Sequence, residues 1–177
     1  MSGHNKWSKI KHKKAATDAA KSKVFSKIAR LITVESKKAN GDTSSPGLRA
    51  AIEKAREVNM PKDNIERAVA KGSSKDASSL ESVVYEAYGP GGVAIIIAAL
   101  TDNRNRTAAE IKHILSKNGY ELATPGSASW AFTANPDGSF EPNSFVQLTD
   151  DDGQKLSALA EQIDEQDDVQ EIYTNAE

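Results

Sequence analysis

Five lysines, Lys6, Lys9, Lys11, Lys13 and Lys14, crowd the opening stretch MSGHNKWSKIKHKKAA beside Gly3, His4, Trp7 and His12, and the first acidic residue is Asp18. Cations at this density repel one another, so the segment is expected to stay extended until a polyanion neutralises it. Trp7 has no apolar neighbours with which to build a core. An aromatic face beside phosphate-seeking lysines is how single-stranded nucleic acid is commonly held. The alternative is that Trp7 and Ile10 dock the arm onto the first helix. Lys21, Lys23, Lys27 and Arg30 extend the positive surface onto that helix, and the polar loop TDNRNR adds Arg104 and Arg106.

Other chemistries find no support in the residues. Zero cysteines exclude disulfides, thiolate metal sites and cysteine nucleophiles. His4, His12 and His113 are too scattered for a zinc site, and His113 falls off the apolar stripe of its helix, as a solvated side chain would. The carboxylates Asp150, Asp151 and Asp152, with Asp164, Glu165, Asp167 and Asp168, gather around the ends of a predicted helix, where solvated charge is the ordinary explanation. Gly89, Gly91 and Gly92 lack the lysine and hydroxyl of a phosphate-binding loop and precede a strand, so a tight hairpin turn is expected. No serine sits in a nucleophile elbow. The expectation is therefore a binding protein without catalytic residues, cofactor or metal.

Charge divides the chain. Through Lys75 there are 18 Lys+Arg against 7 Asp+Glu, net +11; from Asp76 onward there are 5 against 18, net −13. Such asymmetry points to a basic face for nucleic acid and an acidic part that stays solvated or limits nonspecific adhesion. A hydrophobic content of 38% over 177 residues is compatible with a real core. No apolar run approaches the roughly 18 residues needed to span a bilayer, and no apolar segment follows the N-terminal lysines as in a secretory signal. The first helix lacks the strong apolar face of a membrane-surface anchor. A cytoplasmic protein with no membrane partner is expected.

Periodicity supplies the elements that must position these residues. A first helix is predicted over Thr17–Ala39, with Val24, Phe25, Ile28, Leu31 and Ile32 at helical steps and Asn40-Gly41 as its end. Ser45 and Pro46 open a second, with Leu48, Ala51, Ile52, Ala55 and Val58 inward. Pro61 opens a third, closed by Gly72. The Ser-rich stretch from Gly72 to Leu80 reads as a linker. Beyond it come the strand VVYEAY, the turn GPGG and the apolar strand VAIIIAAL. A helix begins at Thr107 with a Thr107/Glu110 capping box and closes at Asn118-Gly119. SASWAF is then predicted as a strand, with Phe145–Leu148 as its partner across an NPDGS turn. A helix from Thr149 and a strand from Val169 complete a β-β-α-β-β-α-β order. The fold class expected is α+β: an N-terminal three-helix bundle followed by a ferredoxin-like α/β sandwich with both helices on one face. The strand Val93–Leu100 is apolar on both faces, so a further element, the bundle or a second copy of the chain, should cover Ile96.

Long motifs in this order carry a resemblance. SGHNKW with IKHKKAA, AIEKAREVNMPKDNIERAV with KG, YEAYGPGGVAIIIAALTDNRNRT and SKNGYELATPGSASWAF closely resemble the YebC family of probable transcriptional regulators, related to mitochondrial translational activators. The likeness runs from Met1 to Phe132 and resumes more weakly from about Pro142. It implies a cytoplasmic three-domain protein assigned either to DNA binding and transcription regulation or to the ribosome, where it relieves stalling on proline-rich sequences. The family's ribosome-facing motif maps onto Gly3, His4, Lys6, Trp7, Ile10 and Lys11, and its TDNRNRT loop onto Thr101–Thr107. Most members carry an inserted α/β domain between the strands ending near Phe132 and beginning near Phe145; here about a dozen residues centred on NPDG stand in its place. Tyr120 stands where a second glycine is usual. The expected organisation is a flexible basic arm over 1–16, a helical domain over 17–75 and the α+β domain over 80–177, with the insertion replaced by a short turn near 134–143. Nucleic acid is the expected partner. Ribosomal RNA is favoured over DNA because no helix shows the Arg, Asn and Gln cluster that reads base edges in a major groove.

Overall fold

The computed structural model describes residues 18–75 and 79–177. They form two compact units: a helical unit through residue 81 that also takes in 100–102, and an α/β unit made of 82–99 and 103–177.

Three helices build the first unit: α1 (Asp18–Lys38), α2 (Pro46–Glu57) and α3 (Lys62–Ser73). Asn40 and Gly41 both take positive φ, and Gly41 N donates to the Ser36 carbonyl at 2.9 Å, which closes α1 as the sequence suggests. Asn59 (φ 58) does the same for α2, with Met60 N donating to the Ala55 carbonyl at 2.9 Å. Pro46 occupies the first turn of α2 behind Ser45. Ile32, Leu48, Ala51, Ala55, Met60, Ile65 and Ala68 form the core. Where α1 meets α3 the contact is made by small residues: Ser36 Oγ donates to the Val69 carbonyl at 2.7 Å and Thr33 Oγ1 to the Ala68 carbonyl at 3.4 Å. Gly72 is not the stop that its type suggests. It lies inside α3, buried, and a Cβ there would come within 2.3 Å of the Thr33 carbonyl oxygen and 2.6 Å of Ser36 Cβ.

The α/β unit has a four-stranded sheet in the order β3-β1-β2-β6, from β1 (Glu81–Tyr88), β2 (Ala94–Thr101), β3 (Leu122–Ala123) and β6 (Val169–Thr174). β3 runs antiparallel to β1, and β6 antiparallel to β2 with Ile96 opposite Tyr173. Between β1 and β2 the chain turns through Pro90–Gly92, where Gly91 and Gly92 both have positive φ and Gly89 N donates to the Val93 carbonyl at 2.9 Å. The glycines thus make the expected turn. On one face of the sheet, α4 (Arg104–Lys117) and α5 (Asp150–Asp164) bring Ile111, Leu115, Leu156, Leu159 and Ile163 against Ile95, Ile97 and Ile172.

The other face of β2 is covered from within the same unit. A short hairpin of β4 (Phe132–Ala134) and β5 (Phe140–Pro142), with the 3-10 turn Ser129–Ala131 before it, places Ala128, Ala131 and Phe132 on Ala94 and Ile96, beside Tyr173 of β6. Ile96 is fully buried as expected. Its cover is this hairpin rather than the bundle or a second copy. The hairpin also corrects the expected register: SASW is a turn, and Phe132 pairs with Pro142 instead of with the Phe145–Leu148 stretch. That stretch contributes one parallel bridge, Val146 to Ala176.

Candidate nucleic-acid interface

Of the cations singled out in the sequence, Lys6, Lys9, Lys11, Lys13 and Lys14, together with Gly3, His4, Trp7 and Ile10, lie outside the described residues, as does Thr17. The structure places the remainder on two helices. On α1, Lys23, Lys27 and Arg30 recur at steps of four and three residues and share one face, whereas Lys21 falls on the opposite flank. Lys21 is exposed, and the other three are half-buried. Arg30 Nη1 lies 3.4 Å from the Leu100 carbonyl oxygen, so its guanidinium already has a use inside the helical unit.

Arg104 and Arg106 do not sit in a loop. The helix starts three residues before the expected Thr107: Asn103 caps α4 by accepting from Arg106 N at 3.1 Å, and both arginines belong to the first turn. Two cations at a helix N-terminus oppose the helix dipole, an arrangement that costs about 0.3–1 kcal/mol per charge at an exposed site. Asp168 offsets this for Arg106. Its carboxylate is buried and accepts from Arg106 Nη2 at 2.9 Å and from Thr107 Oγ1 at 2.7 Å. This corrects the reading of Asp168 as solvated charge. It joins the segment before β6 to the first turn of α4, where Arg104 and Arg106 are both exposed.

Further cations lie on α2 and α3, beyond those that the arm and the TDNRNR motif draw attention to. Arg49 and Arg56, seven residues apart, share the exposed flank of α2, and Arg67, Lys71 and Lys75 follow one another at four-residue steps along α3 and just beyond it. Their four- and seven-residue spacing is a signal visible in the sequence. Arg67 is held in place, with Nε donating to the Asp63 carbonyl at 3.2 Å and Nη2 to Asn64 Oδ1. Over residues 18–75 there are 13 Lys+Arg against 7 Asp+Glu, net +6; over 79–177 there are 5 against 17, net −12. A rigid, positively charged helical surface therefore stands beside the arm in sequence. Clustered cations of this kind are suited to contacting phosphate backbones without reading bases. Among the described residues no group of three or more His, Cys, Asp or Glu is placed to hold a metal, and no helix is long and apolar enough to cross a membrane.

Comparison with known proteins bears on this interface. Residues 5–75 match the family described as the TACO1/YebC protein N-terminal domain, and residues 80–136 match the TACO1/YebC second and third domain. A protein of Fervidobacterium nodosum named "Probable transcriptional regulatory protein" is 50% identical over 174 residues, which span 96% of this chain and 68% of the relative. A protein of Petrotoga mobilis with the same name is 43% identical over 187 residues, covering all of this chain and 71% of the relative. The crystal structure of a conserved hypothetical protein from Aquifex aeolicus superimposes with a TM-score of 0.85 at 31% identity, covering 97% of this chain and 96% of that one. The cation-rich helical unit and the acidic α/β unit are thus those of a known line of proteins, and the chain belongs to the TACO1/YebC family.

Proposed function

We propose that this chain is a nucleic-acid-binding regulator of gene expression that works at the ribosome in the cytoplasm, relieving stalling at proline-rich sequences by binding rather than by catalysis. The observation that carries the reading is the division of charge. The arm and the helical unit concentrate the cations, while the α/β unit is net −12 and repels phosphate. Residues 1–16 supply a cationic arm with Trp7 as its stacking ring, the helical domain over 17–75 supplies phosphate contacts, and the domain over 80–177 holds the molecule clear of nonspecific polyanion. A turn near 134–143 replaces the insertion found in other members. Its loss weakens anchoring more than it changes the chemistry of relief, because the cations lie elsewhere.

The names of the relatives favour a second reading, a DNA-binding transcriptional regulator, since phosphate contact alone gives duplex affinity. Reconstituted translation of a proline-run template separates the two. The intact chain is expected to raise full-length product, a chain starting at Thr17 to fail, and Trp7→Ala to fall between them. Equal product from the intact and arm-deleted chains defeats the arm's role. No effect from either, with DNA recovered in place of ribosomal RNA on crosslinking in cells, establishes the second reading.

A further inference from the structure

Three aromatic rings on the α/β unit stay in solvent: Trp130 is 61% exposed, Phe145 51% and Tyr88 37%. Trp130 lies in the 3-10 turn that leads into β4, and Phe145 follows three residues after β5. Just beyond the Phe132–Pro142 rung Asn143 N donates to the Ala131 carbonyl at 2.9 Å, which brings the backbone segments carrying these two residues alongside each other. Trp130 Nε1 donates to Tyr88 Oη at 2.9 Å, and Tyr88 Oη in turn donates to the Ser127 carbonyl. Beneath them Glu86, only 7% exposed, accepts from the backbone N–H groups of Gly126, Ala128 and Ser129 at 2.7, 2.7 and 2.9 Å. The loop carrying the indole is thereby pinned to the sheet. An exposed tryptophan held this firmly has its ordering cost met before any partner arrives.

We propose that Trp130, Tyr88 and Phe145 form a docking ledge for an extended, arginine-bearing segment of a partner protein. The polar atoms of the indole and phenol are spent on each other and on Ser127, so what the ledge offers is ring faces. The electrostatics select the occupant. From Asn118 to Gln154 the chain has no Lys or Arg but carries Glu121, Asp137, Glu141, Asp150, Asp151 and Asp152. A nucleobase could stack on these rings only by bringing its phosphates into a net negative field, in which Lys155 offsets Asp151. A guanidinium is attracted by both the ring quadrupole and the field, and its planar shape suits stacking on an indole.

The test uses the full chain with Trp7→Phe, which leaves Trp130 as its one tryptophan. A short peptide of alternating arginine and glycine is expected to change Trp130 emission saturably and less so at high salt, whereas a glutamate-glycine peptide and single-stranded RNA leave it unchanged. By calorimetry on the otherwise native chain, Phe145→Ala should weaken the arginine peptide about 2- to 5-fold and Trp130→Ala more, with unaltered melting. Equal affinity in Trp130→Ala overturns the ledge and leaves diffuse acidic attraction. An emission change with RNA but not with the arginine peptide overturns the choice of partner, and silence with both overturns the site.

Discussion

Glu86 shows how one residue fixes a surface. In sequence it is an acid within an otherwise apolar strand, VVYEAY, at a position whose alternation points it toward the covered face of β2. Burial alone would push its carboxyl above the usual range, but hydrogen bonds from Gly126, Ala128 and Ser129 outweigh that and hold it below the ordinary glutamate value of 4.5. A group with a depressed folded-state pKa contributes stability above its unfolded pKa and loses it as pH falls through the folded one. Glu86→Gln turns an acceptor-only group into one whose amide N–H faces backbone donors, and the expected cost is about 1–3 kcal/mol at neutral pH. Urea denaturation should show the gap between native and Glu86→Gln proteins narrowing as pH drops below about 4.5. A gap independent of pH would mean that the carboxylate's charge contributes nothing to holding the loop.

At the scale of elements, what could be read in the sequence was what repeats. The helical steps of Leu48, Ala51 and Ala55, the Asn40-Gly41 and Asn118-Gly119 stops and the glycine turn after Tyr88 are local signals, and each is where the residues indicated. The features that escaped depend on partners distant in sequence. The Phe132–Pro142 pairing needs the apolar face of β2 as a floor, and Asp168 is buried only because Arg106 and Thr107 come to it. Arg104 and Arg106 stand out by type, but their placement in a helical turn rests on Asn103, a cap that competes with Thr107. Gly72 makes the same point with opposite signs. By intrinsic propensity Gly72→Ala in a helix should stabilise by about 1 kcal/mol. The 2.3 Å approach to the Thr33 carbonyl forces α1 and α3 apart, which typically costs about 1–3 kcal/mol, so packing decides and the variant should melt lower. Phe132→Ala, which strips the hairpin's main anchor from Ile96, should destabilise by about 3–5 kcal/mol and increase binding of a hydrophobic dye. A wild-type melting temperature in Phe132→Ala would show that the hairpin is dispensable as a cover.

For the whole molecule, the issue is how the cations divide the work of binding between the arm and the folded helices. Each phosphate neutralised on a single strand releases counterions equivalent to a slope of about −0.7 in log affinity against log salt. If Lys6, Lys9, Lys11, Lys13 and Lys14 each meet a phosphate, those five contacts contribute about −3.5 to the slope on single-stranded RNA. Alanine at all five should remove that amount. What remains then measures the rigid surface, where Arg49, Arg56 and Lys71 stand exposed on α2 and α3. A further Arg49→Ala, Arg56→Ala pair is expected to reduce the residual slope by about 1.4 if both meet phosphate, and to leave it unchanged if the helical surface faces away from the strand. A slope unaltered by the five arm substitutions would transfer the interface to the helical unit outright. The arm would then have a role other than phosphate contact, and Trp7→Ala should no longer affect affinity.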